Sequence, residues 1–291
     1  MNEILNDLSG KIDPSLIRVL SEIKAITEEL KIDFFIIGAT ARDIVIQHFH
    51  GIRAPRMTRD IDIAVCLADW NEYSNLTEIL LSKGVFRKGN QKQRYIYKDT
   101  VIDIIPFGKI AGPANEIRWP PDNDIIMRTI GFTDVYDSSI TIRLGSNPPL
   151  DVKLASIPGL AVLKLLAWRE KPSRDKDAED LLFIMHNYQN TGVQDRLYED
   201  EPILLEEEKF DIERAGIRLL GRDMAKLSNG ETAEVLMDIL ISETDEDGSY
   251  KLVFQMSGHS DRFEAIMLLL RKLKQGFIEG FGHSVNSSTH P

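Results

Sequence analysis

One cysteine, Cys66, stands in a chain of 291 residues. That scarcity excludes an internal disulfide and predicts a reducing, cytoplasmic setting. Cys66 directly follows Ala64-Val65 in an expected buried strand, so a structural thiol is predicted rather than a nucleophile. Long apolar runs are missing too. No stretch approaches the roughly 18 residues of a membrane span, and Met1-Asn2-Glu3 opens without a basic, hydrophobic signal. No membrane partner is expected. Excess positive charge is also absent: the net charge is −11, which argues against non-specific binding to nucleic acid. The acidity is unevenly spread. Residues 1–110 carry 15 basic and 15 acidic side chains, residues 111–192 carry 9 and 11, and residues 193–291 carry 11 and 20. The front of the chain is therefore neutral and open to a local anionic ligand, while the last third is acidic enough to serve a partner, an acceptor or solubility.

What is present reads as a globular α/β (α+β) protein of one large or two ordinary domains, with 43% hydrophobic and 28% charged residues. Asp13-Pro14 starts a helix, with Leu16, Ile17, Leu20, Ile23, Ile26 and Leu30 on one face. Phe34 to Ile37 predicts a buried strand broken by Gly38, and Ala41 to His50 a helix closed by Gly51. A strand follows at 60–66, then a helix over 69–82. Two strands at 94–97 and 101–105 are joined by a tight turn at Asp99-Thr100. Short strands are expected near 132–136 and 140–144, with helices at 156–169 and 175–188. Beyond Gly192, where composition turns acidic, helices are expected near 206–226, 231–242 and 260–276, with a strand at 250–255. The polar stretch 283–291 is expected to lack fixed structure. This gives three regions: a mixed-sheet core over 1–110, a strand and helix extension over 111–192, and an acidic, mainly helical region over 193–291.

Three carboxylates stand out. In the strand at 60–66, Asp60 and Asp62 fall on one face and Ile61, Ile63 and Val65 on the other. Asp103 interrupts the aliphatic strand Val101-Ile102-Asp103-Ile104-Ile105. Carboxylates in such surroundings are costly to desolvate unless something positive sits among them. Hard oxygen donors on neighbouring strands suit magnesium. Two such ions about 3.5–4 Å apart clamp the attacking and leaving oxygens of a phosphoryl transfer. Asp103 is placed to hold one ion and act as base for an acceptor hydroxyl. Gly38, at the start of a helix, lets backbone N–H groups approach phosphate oxygens; Thr40 adds a hydroxyl, and Arg42 is expected to reach the same anion or an active-site Asp.

In this order, Gly38-Ala39-Thr40-Ala41-Arg42, Asp60-Ile61-Asp62 and Asp103 resemble the core motifs of minimal, DNA polymerase beta-like nucleotidyltransferases. Within that superfamily, Lys164-Leu165-Leu166-Ala167-Trp168-Arg169 followed by Arg174-Asp175-Lys176-Asp177-Ala178-Glu179-Asp180-Leu181 resembles the abortive-infection toxins of type IV toxin–antitoxin systems. The likeness covers about residues 30–190, with Ala39 where the family often has a second Gly or a Ser. It implies a mixed-sheet nucleotidyltransferase core followed by a helical, bundle-like region, with Asp60, Asp62 and Asp103 holding Mg²⁺ (or Mn²⁺). The nucleotide would meet Gly38, Ala39, Thr40, Arg42 and Lys164, with Asp177 or Asp180 ordering that lysine. The NTP would donate its nucleoside monophosphate to a tRNA end, a protein or a small molecule, and an antitoxin protein would be a partner.

Blander readings accompany these. Lys176, Asp177 and Asp180 also fit the exposed face of an amphipathic helix. Lys83, Arg87, Lys88, Lys92, Arg94 and Lys98, interleaved with Tyr95 and Tyr97, fit either a solvated hairpin or a rim for RNA or triphosphate. Arg53, Arg56 and Arg59 carry the same ambiguity. His48 and His50 face different directions on a helix, against a zinc site. Trp119-Pro120-Pro121-Asp122 reads as a lid or a packing corner. Two rival functions remain: a catalytically inactive nucleotide- or protein-binding module of the same fold, and a glycosyltransferase, which would not require Gly38 or Asp103.

Overall fold

The computed structural model describes residues 6–54, 58, 60–258 and 261–287. Its contacts divide the chain into two compact units, Met1–Ser156 and Ile157–Pro291. Residues 111–156 thus pack with the front of the chain and residues 157–192 with the back.

The first unit is built on a mixed sheet of eight strands. In chain order these are β1 (Asn6–Asp7), β2 (Asp33–Ile37), β3 (Ile61–Cys66), β4 (Phe86–Lys88), β5 (Arg94–Tyr97) and β6 (Thr100–Phe107), then β9 (Ile140–Ser146) and β10 (Pro149–Leu154). Across the sheet they run β1-β9-β10-β2-β3-β6-β5-β4, and β7 (Glu116–Arg118) with β8 (Ile126–Arg128) forms a separate ribbon. β3 lies antiparallel to β2 and parallel to β6, and β5 is antiparallel to β6. The register sets Ile37 opposite Asp62, Asp62 opposite Asp103, and Asp103 opposite Arg94. Directly opposed residues share a face, so one row crosses four strands, from Arg94 through Asp103 and Asp62 to Ile37, next to Gly38.

Helix α1 (Pro14–Leu30) begins as its sequence dictates, with the Asp13 carboxylate accepting from the Ser15 N–H at 2.7 Å. Val19, Leu20, Ile23 and Ile26 are buried. Helix α3 (Trp70–Ser82) is capped by Asp69 and buries Tyr73, Leu76 and Leu80. The helix expected at 41–50 begins earlier: α2 (Gly38–Arg42) continues as a wider π turn over Asp43–Phe49. Strand β3 starts at Ile61, so Asp60 lies just before it. The strand expected at 132–136 is helix α4 (Phe132–Asp137). Its Tyr136 ring meets those of Phe35 and Phe107 at 5.6 and 5.7 Å between centroids, a contact that outweighs local β propensity. Strand β10, for which no expectation was set, begins on Pro149, where no ladder donor is needed.

The second unit is helical: α5 (Ile157–Glu170), α6 (Asp175–Asn187), α7 (Gln194–Glu199), α8 (Pro202–Glu207), α9 (Ile212–Leu227), α10 (Gly230–Ser242), α11 (Lys251–Ser257) and α12 (Phe263–Ser287). The helix expected at 206–226 is broken between α8 and α9, where Lys209 and Phe210 adopt positive φ of 54° and 62°. The strand expected at 250–255 is α11, whose buried Leu252, Val253 and Met256 sit at helical spacing. Residues 283–287 belong to α12, contrary to the expectation for the tail, and 288–291 lie outside the described residues. The acidity of this unit is partly used in packing. Arg218 pairs with Glu207, Glu208 and Glu279 at 2.6, 3.0 and 2.5 Å, Arg222 pairs with Glu201 and Glu279, and Lys272 pairs with Glu208. No helix among the described residues is long and apolar enough to cross a membrane.

Candidate active site

The row across β3, β6 and β5 gathers charge at one end of the first unit. Asp62 packs against the turn that follows β2. Gly38 there has φ +65°, and a Cβ on it would stand 3.0 Å from the Asp62 Cγ and collide with Oδ2. Both the left-handed backbone and the close approach of the carboxylate demand glycine. Thr40 donates its hydroxyl to the Asp60 carbonyl at 2.9 Å, tying α2 to the start of β3. The Asp60 side chain is half exposed, whereas that of Asp103 is only 12% exposed.

Arg94, read from the sequence only as one of six basic residues of a hairpin or rim, belongs to the carboxylate row itself. Its Nε and Nη2 donate to the two carboxylate oxygens of Asp103 at 2.8 Å each, and Nη2 lies 4.0 Å from Asp60 Oδ2. The hydrogen bonds to Asp103 raise the Arg94 pKa most; burial opposes them, and the charges of Asp103, Asp60 and Asp62 add to the rise. The turn lies at Lys98-Asp99 rather than at the expected Asp99-Thr100, which would have set Ile96 opposite Asp103; pairing Tyr97 with Thr100 instead sets Arg94 there.

The other predicted residues fall differently. Gly38 and Ala39 are half-buried at the turn, but Thr40 and Arg42 are buried beneath it. Arg42 gives Nε and Nη2 to the Asp43 carboxylate at 2.9 and 2.6 Å, so this pairing is with its own neighbour rather than with Asp60, Asp62 or Asp103. Tyr95 and Tyr97 are buried, and Lys88 donates to the Tyr95 hydroxyl at 2.7 Å; these rings offer no stacking surface. Lys83, Arg87 and Lys98 are exposed near β4, the edge of the sheet. Arg53 is exposed, and Arg56 and Arg59 lie outside the described residues. Trp119 is a packing corner, its ring 5.2 and 5.4 Å from those of Trp70 and Tyr73.

In the second unit, Lys164 Nζ stands 2.9 Å from Asp177 Oδ1 and 2.7 Å from Asp180 Oδ2. Both carboxylates are buried, so the solvated-face alternative does not hold for them, although Lys176 is exposed. Two carboxylates sharing one ammonium give that lysine a fixed position.

Among the described residues, no group of three His, Cys, Asp or Glu side chains is arranged to hold a metal ion. The donor chemistry of Asp60 and Asp62 fits a hard divalent cation. Asp103 fits only after leaving Arg94.

No family model and no curated protein matches the chain. Solved structures that align with it include the antibiotic-resistance factor ANT(2'')-Ia, at 15% identity and TM-score 0.36, over 68% of this chain and 98% of its own. The apo form II of a CCA-adding enzyme aligns at 11% identity and TM-score 0.30, over 96% and 85%. The Thermotoga maritima CCA-adding enzyme complexed with tRNA aligns at 12% and 0.27, over 98% and 86%. At such identities and scores these superpositions assign the chain neither a family nor an activity.

Proposed function

We propose that this chain is a metal-dependent nucleotidyltransferase, moving a nucleoside monophosphate from an NTP to an acceptor hydroxyl with Mg²⁺ or Mn²⁺. One observation carries the reading: Asp62 and Asp103 stand side by side on adjacent parallel strands, with Asp62 packed on Gly38 and Asp60 at the strand's mouth. A divalent ion held by Asp60 and Asp62, joined by Asp103, would neutralise charge developing on the phosphoryl oxygens. Asp103 orients the acceptor hydroxyl and takes its proton. The acceptor oxygen bonds to the α-phosphorus, and the bond to pyrophosphate breaks. Gly38 and Ala39 give the triphosphate its close approach to backbone N–H groups. Thr40 and Arg42 support that turn from beneath. Lys164, held by Asp177 and Asp180, supports the finer resemblance to abortive-infection toxins. On that reading a tRNA end is the first acceptor to try and an antitoxin the first partner.

Purified protein mixed with α-labelled NTPs, Mg²⁺, total RNA and a protein extract is expected to label an acceptor. No label on any acceptor, together with no Mg–NTP binding, overturns the proposal. A second reading, an inactive nucleotide-binding module, is favoured by the hold of Arg94 on both oxygens of Asp103. It predicts Mg–NTP binding that Asp62→Asn weakens, with no transfer to any acceptor.

A further inference from the structure

Independently of the nucleotidyltransferase reading, we infer that the outer edge of β8, from Asp124 to Arg128, is a self-pairing edge. It joins antiparallel to the same strand of a second copy of this chain, with Ile126 facing Ile126 across a two-fold axis.

The ribbon leaves this edge open. Trp119 N–H donates to the Ile125 carbonyl at 3.0 Å and Thr129 N–H to the Asn115 carbonyl at 2.7 Å, in one register with Ile117 opposite Met127. Bonding alternates along an antiparallel strand, so the peptide groups of Asp124, Ile126 and Arg128 face away from β7. Among the described residues, nothing bonds the N–H or the carbonyl of Ile126. The edge is also unguarded. Open edges are ordinarily blunted by charge or proline. β4, at the edge of the large sheet, exposes Arg87 and Lys88, whose like charges repel a second copy. β8 instead exposes Ile125 and Ile126, each 46% accessible, between charges of opposite sign. Above all, the segment complements itself when reversed. Asp124-Ile125-Ile126-Met127-Arg128, set antiparallel on its own copy and centred on Ile126, opposes Asp124 to Arg128, Ile125 to Met127 and Ile126 to itself. Carboxylate meets guanidinium at both ends, apolar side chains meet between them, and the outward peptide groups fall in the hydrogen-bonded pairs. A contact of this kind is isologous and closes at two copies.

The test is sedimentation of the full chain between about 1 µM and 1 mM, the span in which an interface as small as one strand pair associates. Wild type is expected to move from its 33.0 kDa monomer toward twice that mass as concentration rises. Ile126→Pro removes an outward donor but no bond of the ribbon. Asp124→Lys sets like charge against the copy's Arg128. Each is expected to weaken dimerisation about tenfold, since a two-fold axis applies every change twice; Asp124→Lys decides the matter if Ile126→Pro fails to fold. Cross-linking fixes the register. In a Cys66→Ser background, Ile126→Cys is expected to join two copies under mild oxidation, because Cα atoms of a bonded pair stand about 5.5 Å apart. Asp122→Cys, roughly 27 Å from its counterpart at about 3.4 Å per residue, is expected to stay unlinked. A wild type monomeric throughout the range, a dimer that both variants leave intact, or equal cross-linking at positions 122 and 126 would each overturn the inference.

Discussion

The two units treat buried acid in opposite ways. In the first, Asp103 and Asp60 share Arg94, and glycine backbone is pressed against Asp62. In the second, four glutamates around α9 and α12 meet three cations, and Lys164 is fixed between two aspartates. Near-balanced charge on long side chains joins helices to one another. Short side chains at a strand end, with backbone pressed against one of them, join no helices and are costly to bury unless positive charge stands close by. That difference separates a site from a scaffold more sharply than acidity does.

The largest effect should come from the first unit and appear in activity alone. Asp103→Asn is expected to lower transfer by about 10²–10⁴-fold, and chemical denaturation should find the protein folded, because Asn still accepts a hydrogen bond from Arg94, whose guanidinium keeps Asp60 4.0 Å away and a quarter of its surface in solvent. In the second unit the same kind of change should strike stability. Lys164→Met leaves Asp177 and Asp180 buried without their ammonium and is expected to cost about 3–5 kcal/mol, read from urea unfolding. If Asp103→Asn unfolds the protein and Lys164→Met does not, the contrast between the units is broken. Gly38→Ala should fall between the two, losing about 1–3 kcal/mol to backbone strain and losing transfer as well, because the added methyl displaces the Asp62 carboxylate.

The smallest effect sharpens the contrast through pH. Burial pushes the Glu279 carboxyl up, but hydrogen bonds from Arg218 and Arg222 outweigh it and leave the pKa below its ordinary 4.5. A carboxyl lowered on folding adds stability that is present above 4.5 and lost as pH falls through the native value. Glu279→Gln should therefore cost about 1–2 kcal/mol at neutral pH, and its unfolding midpoint should approach that of wild type as the pH falls toward 3.

The strands that build the site were legible because each carries an unmistakable local signal. Phe34 to Ile37 is continuously apolar, Asp62 alternates with buried Ile61 and Ile63, and Asp103 interrupts a branched-aliphatic run. The helix cap at Asp13 was equally plain. Residues 132–136 and 250–255 misled because short apolar stretches fit either period, and only packing of Tyr136 on Phe35, or of Leu252 and Met256 inward, decides. Arg42 could be placed beside the Gly38 turn but not aimed, since nothing in its spacing tells a phosphate from the Asp43 carboxylate. The burial of Asp177 and Asp180 was similarly hidden, because i, i+3 acid on a helix looks the same on a wet face and a dry one.

The central claim is that the carboxylates beside Gly38 form a metal–nucleotide site, and a crystal structure with Mn²⁺ and a non-hydrolysable NTP tests it most directly. The expected map shows anomalous density bonded to Asp60 and Asp62, the triphosphate against Gly38 and Ala39, and Arg94 swung off Asp103. Density elsewhere, or a nucleotide bound away from Gly38 with Asp103 still clasped by Arg94, would contradict it.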